Sequence, residues 1–342
     1  MKFGPVPTTE AAGKILGHNI AAPSGRRAFR KGHALTSDDI TQLLAIGRTI
    51  VYVAEIEPDD VDENEAAKRI ATAVAGGNLT LSRAVTGRVN LHAAKLGVLR
   101  VDAARLAQVN ACAGTTLATL LSQTAVFPEK MVGTVKILPY AIPESTVQAV
   151  EAIATTPLIH ITPLLPRRAS LILSGSPSTR ERILKGFDKP LRGRLETLGS
   201  SVHSVDFVPL EDEQGEIGLA RLLQQRRQEN VDLIILAGET AVMDRHDIQP
   251  RAIERAGGHI ECFGAPVDPG NLLVIAYLDG VPIMGAPGCA RSPKPNIVDW
   301  VLPRLLAGDH LTHADIFALG HGGLLEDVAE RPSPRRKVNS NQ

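Results

Sequence analysis

Aromatic residues are scarce in this chain of 342 residues, at 3% of the total. Proteins that bind single-stranded nucleic acid stack bases on aromatic side chains, so this composition argues against such a platform. The chain also lacks an excess of either charge, because its 37 lysines and arginines balance 37 aspartates and glutamates. We therefore expect no nucleic-acid partner.

Long apolar runs are missing as well, and no charged-then-apolar leader precedes the first turn signals. The three cysteines, Cys112, Cys262 and Cys289, have neither metal-ligand spacing nor an even number for disulfide pairing. No membrane association is expected, and a reduced cytoplasmic setting is the simplest interpretation. The nucleotide-binding patterns GxGxxG and GxxxxGK[ST] are also absent, which disfavours a Rossmann dinucleotide site and a P-loop.

The chain is long enough for two or three domains, each with its own core. Turn signals and apolar periodicity predict a small mixed α/β domain over residues 1–77 and a β-rich middle region with a linker over 78–165. Within that region, 115–121 is expected to form a short helix. An α/β domain is predicted over 166–330, and the polar, proline-punctuated segment 331–342 is expected to be disordered.

Residues 166–330 alternate short apolar runs with amphipathic segments, a pattern typical of right-handed βαβ crossovers. The predicted fold is therefore a three-layer α/β domain with a mostly parallel sheet, preceded by the smaller mixed α/β and β-rich region. Its central stretch is 231–258, where the apolar run Leu233–Ala237 ends at Gly238. A polar loop follows, and the next helix begins near Asp247.

Three loops follow predicted strands, at 174–180, 238–247 and 285–296, and are expected to meet at one edge of the sheet. Their glycines allow backbone amides to approach a ligand closely. Their hydroxyls and cations suit an oxyanion such as phosphate, which helix N-termini also attract. Asp244 and Asp247 have the oxygen ligands that a divalent cation bridging to phosphate requires, although a role as a helix N-cap alone also accounts for Asp247.

Several short segments in and around these loops resemble motifs of a known fold. The segment 232–240, DLIILAGET, and the segment 247–252, DIQPRA, resemble a strand, turn and helix-opening aspartate of the molybdopterin-binding fold. Pro269-Gly270, Gly280–Ile283 and Ala286–Gly288 are similar to later motifs of that fold. The fold is shared by molybdenum-cofactor biosynthesis enzymes and gephyrin-like proteins, and the resemblance is strongest over 169–308.

The resemblance implies molybdopterin as ligand or substrate, with Mg²⁺ and ATP as further components. It implies a catalytic role for Asp247 and Asp244 and a metal-ligand role for Asp247. Cofactor-binding positions implied by it are Ser174, Thr179, Gly238, Thr240, Gly285, Pro287, Gly288 and Arg291. The expected chemistry is adenylyl transfer or molybdenum insertion, in a homo-oligomer that serves a molybdoenzyme or another protein of the cofactor pathway.

Two departures from the family pattern affect that expectation. Glu239 replaces the second glycine of the turn, and its carboxylate repels a phosphate unless it points away or binds metal. Cys289-Ala290 replaces an Asn-Pro pair. Two alternatives therefore remain open: a non-catalytic carrier or sensor of the cofactor, and a metal-dependent hydrolase of nucleotide pyrophosphates.

Overall fold

A computed structural model describes residues 1–210, 213–240 and 242–324. Contacts between residues divide the chain into two compact units, Met1–Pro163 (unit 1) and Leu164–Gln342 (unit 2). The predicted division near residue 77 stays a prediction, and the expected disorder of 331–342 lies outside the described residues. In the part of the chain that is described, no helix is long and apolar enough to cross a bilayer.

Unit 1 contains fourteen short strands and four helices among its residues. Its strands are β1 Lys2–Pro7, β2 Ile15–Leu16, β3 Ile20–Ala21, β4 Arg27–Phe29, β5 Ile50–Glu55, β6 Asp60–Asp62, β7 Leu79–Leu81, β8 Arg88–Ala93, β9 Gly97–Val101, β10 Thr115–Thr119, β11 Ala125–Val126, β12 Met131–Ile137, β13 Ala141–Pro143 and β14 Ile159–Pro163. Its helices are α1 Ser37–Ala45, α2 Glu63–Val74, α3 Ala103–Ala111 and α4 Glu144–Ile153.

The strands of unit 1 pair in small antiparallel sheets, ordered β1-β5-β2, β10-β12-β8-β7, β11-β9-β14, β13-β6 and β3-β4. One apolar cluster is built from residues between 11 and 53. A second, larger cluster is built from residues between 66 and 161, and α2 contributes five fully buried side chains to it. Unit 1 thus has the mixed α/β and β-rich character that the sequence predicts.

The expected short helix at 115–121 is wrong, because Thr115–Thr119 forms strand β10. This strand pairs antiparallel with β12, from Thr115 opposite Ile137 to Thr119 opposite Gly133. Its buried side chains, Thr115 and Leu117, are two residues apart and face the core. A period of two is the signature of a strand, and β-branched threonine favours it.

Unit 2 is built around one six-stranded sheet. Its strands are β15 Arg168–Gly175, β16 Ser201–Pro209, β17 Leu233–Gly238, β18 His259–Phe263, β19 Val274–Leu278 and β20 Val281–Gly285. Its helices are α5 Arg180–Thr197, α6 Glu213–Gln228, α7 Ile248–Arg255, α8 Ile297–Leu306 and α9 His313–Phe317.

The order in this sheet is β16-β15-β17-β20-β19-β18. β15 pairs in parallel with β16 and β17, and β17 pairs in parallel with β20, whereas β18 and β19 form the antiparallel edge. The predicted α/β class with a mostly parallel sheet is confirmed.

Helices cover both faces of the sheet, which explains why its central strands are apolar on both sides. Leu171 and Leu173 of β15 pack in one cluster with α5 and α8, including Phe187. Ile172, between them, packs in the other cluster with α6 and α7, including Leu223. Burying a leucine-sized side chain contributes about 1.5–3 kcal/mol, so these two clusters fix the three layers and the edge at which the strands end.

Candidate functional site

Three adjacent parallel strands, β15, β17 and β20, end at the same edge of the unit 2 sheet. The strand registers place Ser174 beside Gly238 and Leu236 beside Gly285. The loops that follow these strands, 174–180, 238–247 and 285–296, therefore meet, and we call this region the three-loop edge. Ligands of open α/β sheets bind at such an edge.

Ser174 connects the neighbouring strands and α7 at this edge through hydrogen bonds. It is 2% exposed, its Oγ accepts a hydrogen bond from Gln249 Nε2 at 2.8 Å and lies 3.3 Å from the Ala237 carbonyl oxygen. A side chain at Gly238 would place its Cβ 2.7 Å from Ser174 Oγ, so glycine is required there. Ser174 and Gly238 thus hold β15, β17 and α7 together beneath the loops.

Glu239, which follows Gly238 at the end of β17, points into the first loop. Its Oε2 accepts a hydrogen bond from the Ser176 backbone N–H at 2.9 Å and lies 2.9 Å from Ser176 Oγ and 2.8 Å from Thr179 Oγ1. Arg182 Nη2 donates to its other oxygen, Oε1, at 3.0 Å. Four donors therefore converge on one carboxylate beside the first turn of α5.

This arrangement stabilises the negative charge of Glu239. The hydrogen bond from the Ser176 backbone, followed by those from Thr179 and the Ser176 hydroxyl, lowers the pKa of the Glu239 carboxyl below its ordinary value. Gly175 permits the approach, because a Cβ there would lie 2.9 Å from the Glu239 Cβ. The first loop consequently holds an anion that the chain itself supplies.

Asp247 and Asp244 order the second loop. Asp247 stands at the N-cap position of α7, but its side chain makes no capping hydrogen bond to that helix. Its Oδ2 instead accepts from the backbone N–H groups of Met243 at 2.6 Å and Asp244 at 3.0 Å. Asp244 Oδ1 accepts from the His246 N–H at 2.8 Å. Both carboxylates are thus used to shape the loop, and Thr240 near its start is exposed.

The third loop is held from two sides. Arg291 Nη2 donates to the Gly238 carbonyl oxygen at 3.1 Å, and its guanidinium lies 4.4 Å from the centre of the Phe187 ring. Arg194 of α5 donates to the Ala290 and Ser292 carbonyl oxygens at 3.1 and 2.8 Å. Both arginines therefore position backbone at the edge.

The remaining predicted positions of this loop differ in accessibility. Gly285 and Pro287 are buried, whereas Gly288 is exposed at the start of a 3₁₀ turn, Gly288–Arg291. Burial raises the pKa of the half-buried Cys289 thiol. This thiol is accordingly protonated near neutral pH, which disfavours a role as a nucleophile.

The predicted site residues thus divide by what they contact. Thr179, Gly238 and Arg291 lie within the contacts that join the loops, and Ser174 lies buried beneath them. Sequence reasoning missed Ser176 and Arg182, which complete the donor set around Glu239. The signal was present, since Ser176 lies in the glycine- and serine-rich loop and Arg182 in the first turn of the following helix.

Metal binding at this edge depends on the carboxylates available. Among residues 1–210, 213–240 and 242–324, no group of three or more His, Cys, Asp or Glu side chains comes close enough to hold a metal ion. Mg²⁺ is commonly held by one or two carboxylates together with substrate phosphates, a mode for which Asp247 is still suited. Asp247 as a Mg²⁺ ligand stays a prediction.

Comparison with known proteins gives one domain family and several solved structures. Residues 5–55 match a domain of unknown function, DUF8806. A sequence comparison with curated proteins finds no significant match.

The similar solved structures include a molybdenum cofactor biosynthesis protein from Pyrococcus furiosus, with 12% identity over 93% of this chain and a TM-score of 0.24. This chain spans 65% of the length of that protein. A molybdopterin biosynthesis MoeA protein from Pyrococcus horikoshii is 13% identical over 89% of this chain and 75% of its own, with a TM-score of 0.30. The enzyme MoaB from Thermus thermophilus is 18% identical over 42% of this chain and 98% of its own, with a TM-score of 0.29. Scores this low assign no activity, and function must be inferred from the site residues.

Proposed function

We propose that the three-loop edge binds the anionic group of a molybdopterin-type ligand, and that the protein acts in molybdenum-cofactor biosynthesis or handling. The observation that carries this proposal is that hydrogen-bond donors of Ser176, Thr179 and Arg182 all point at the carboxylate of Glu239. Phosphate accepts hydrogen bonds from the same kinds of donor and prefers the N-terminus of a helix. The motif resemblance over 169–308 supports the pterin as the remainder of the ligand.

Glu239 makes this binding competitive. A phosphate oxygen that takes the donors of Ser176 and Thr179 displaces the Glu239 carboxylate, which then turns to solvent. Each hydrogen bond to a charged group is worth about 1.5–3 kcal/mol, so the exchange is close to balanced. The net affinity for the ligand then comes from the pterin and from Arg182. The Arg182 side chain is 67% exposed, so it can pair with either the Glu239 carboxylate or the phosphate.

Arg182 provides the test because α5 offers a matched control. Arg182→Gln removes a donor of the anion position, whereas Arg192→Gln makes the same change on the same helix, ten residues further along. Arg192 pairs with Asp188 at 2.9 Å, and ten residues of helix place it about 15 Å away. Calorimetric titration of purified molybdopterin is expected to show a loss of about tenfold in affinity for Arg182→Gln and less than about twofold for Arg192→Gln. Equal affinities for the two variants would refute the proposed anion position.

A non-catalytic carrier is the second candidate, and Glu239 favours it. Its carboxylate occupies donors that would otherwise neutralise charge on a transferred phosphoryl group. Adding ATP and Mg²⁺ to the same titration separates the two functions, because adenylylated molybdopterin indicates an enzyme and tight binding without turnover indicates a carrier. Release of AMP from a dinucleotide would instead indicate a pyrophosphate hydrolase. Homo-oligomer formation, a molybdoenzyme partner and a cytoplasmic setting stay predictions.

A further inference from the structure

Unit 1 contains a cavity of about 1090 Å³ whose lining shares no residue with the three-loop edge. Its lining includes Phe3, His18, Lys31, Glu63, Arg88 and Lys136. Small-molecule sites in proteins have volumes of roughly 300–1,000 Å³ and combine apolar walls with a few polar groups. This unit 1 cavity has about the size of such a site and a lining of apolar and charged groups.

Two exposed cations, Lys31 and Arg88, line the cavity. Neither forms an ion pair with any residue that the structure describes, and Lys31 acts on the Glu63 carboxylate of the same lining only through a longer-range electrostatic interaction. Arg88 Nη1 donates to Thr134 Oγ1 at 3.3 Å, which engages one of its five N–H groups. Asp62, a carboxylate of the lining, accepts a hydrogen bond from the Asn64 backbone at 2.8 Å as the N-cap of α2. The lining therefore presents two exposed cations to an incoming anion.

An aromatic ring forms part of the wall. Phe3 is 49% exposed, and its ring lies so close to Gly17 that a Cβ there would be 2.7 Å from two ring carbons. His18 contacts Phe3 in an edge arrangement with ring centres 5.8 Å apart. The Tyr140 hydroxyl lies 3.3 Å from the Leu16 carbonyl oxygen and 3.4 Å from that of Gly17, which fixes this segment. A ring held in this way offers a flat surface for stacking.

The lining also contains an ion pair beside a strained turn. Lys136 Nζ lies 3.5 Å from Glu63 Oε2 and donates to the Thr86 carbonyl oxygen. Thr86 has a φ of 49°, which is unusual for a β-branched residue. The next residue, Gly87, has a φ of 67°, and a Cβ there would lie 2.7 Å from Glu63 Oε2. Strain of this kind collects at ligand sites, where surrounding structure compensates for it.

From this combination we propose that the unit 1 cavity binds a planar ring compound that carries a phosphate or carboxylate group. The ring stacks on Phe3, and the anionic group binds between Lys31 and Arg88. The Glu63–Lys136 pair forms another part of the lining and contributes little net charge. This inference concerns unit 1 alone and does not depend on the function proposed for unit 2.

Matched pairs of probes test the anion and the ring separately. Flavin mononucleotide and riboflavin share a fluorescent ring and differ in the phosphate, and 1-naphthoate with 1-naphthamide provides the carboxylate arm. We expect flavin mononucleotide or 1-naphthoate to bind with a Kd of about 100 μM or tighter, and the uncharged member of its pair to bind about tenfold more weakly. The pair in which removal of the charge weakens binding more identifies the preferred anionic group. Absence of binding by both acids at about 1 mM, or equal binding within both pairs, overturns the proposal.

Variants locate the binding. Lys31→Gln/Arg88→Gln is expected to weaken binding of the acid by about tenfold and to leave the uncharged probe unchanged. Lys68→Gln/Arg27→Gln makes the same change of charge outside the cavity and serves as the control. Phe3→Leu is expected to weaken both members of a pair equally, since it removes only the stacking surface. Equal effects of the two double variants would place the anion elsewhere and contradict the assignment.

Discussion

The three-loop edge of unit 2 and the cavity of unit 1 both gather cations and hydrogen-bond donors, but they differ in what those donors contact. At the edge, Ser176, Thr179 and Arg182 are taken up by the Glu239 carboxylate. In the cavity, Lys31 and Arg88 form no ion pair within the described part of the chain. The anion proposed for the edge therefore has to replace the Glu239 carboxylate, whereas the anion proposed for the cavity meets two cations that form no ion pair.

The carboxylates of the two regions also differ in their titration. Hydrogen bonds lower the pKa of Glu239, while burial raises the pKa of the Glu63 carboxyl against the opposing effect of Lys136. The chain thus stabilises the charge at the edge and disfavours it in the cavity. Binding at the two regions should therefore respond differently to substitution and to pH.

The largest expected effect is on the free energy of unfolding, and it should be confined to one of the two units. Phe187 is fully buried in unit 2, and Phe187→Ala is expected to lower the free energy of unfolding of that unit by about 3–5 kcal/mol. Trp300, the single tryptophan, lies on α8 against the same core, so its fluorescence during urea unfolding reports on unit 2. Ile70→Ala, a truncation in the unit 1 core, serves as the control. An equal shift of the Trp300 transition by Ile70→Ala would show that the two units unfold together.

Glu239→Gln is expected to have the next largest effect, and it acts on the edge only. Removing the charge weakens the competing anion, so molybdopterin affinity should rise by about tenfold. Glutamine keeps one oxygen that can accept from Ser176, which preserves the loop. Calorimetry measures the change, and binding of flavin mononucleotide to unit 1 provides the reference. Unchanged or weaker molybdopterin binding would mean that Glu239 does not compete with the ligand.

Lowering the pH should have a smaller effect, confined to the cavity. As the pH is lowered from neutral toward about 5, protonation reaches Glu63 before Glu239, because burial raises the pKa of the Glu63 carboxyl and hydrogen bonds lower that of Glu239. Loss of the Glu63 charge frees Lys136 to attract an anion. Binding of 1-naphthalenesulfonate, whose charge is constant over this range, is expected to tighten by about threefold.

Controls for the pH effect come from the cavity lining. Glu63→Gln should bind the sulfonate more tightly at neutral pH and lose much of the pH dependence. His18 also lines the cavity. His18→Gln should keep the part of the pH dependence that arises from Glu63. A pH dependence that vanishes in His18→Gln and persists in Glu63→Gln would assign the effect to the histidine.

Features of the two regions could be predicted from the sequence where the contacting residues are close together in the chain, and could not where they are far apart. The apolar run 233–237 and the glycine after it predicted β17 and its loop, since both signals are local. The role of Glu239 was not predictable, because Ser176 lies 63 residues away and only the pairing of β15 with β17 brings them together. The cavity was inaccessible for the same reason, as its Lys136–Glu63 pair spans 73 residues. Strand β10 was not predicted, because its segment shows no clear alternation of apolar and polar residues. The strand is defined by its pairing with β12, which is distant in sequence.

Asp247→Asn should have the smallest effect of all. Asp247 Oδ2 accepts from the Met243 and Asp244 N–H groups, and an asparagine oxygen can accept from both in the same place. Molybdopterin affinity should fall by about twofold, compared with about fivefold for Asp247→Ala, which frees the loop. Repeating the titration with and without Mg²⁺ distinguishes a metal ligand from a loop anchor. If Asp247 binds the ion, the asparagine variant loses the Mg²⁺ dependence; if it only orders the loop, the dependence is the same as in the wild type. In the first case, the three-loop edge would use a metal-binding carboxylate, Asp247, in addition to Glu239. It would then differ more strongly from the cation-rich cavity of unit 1.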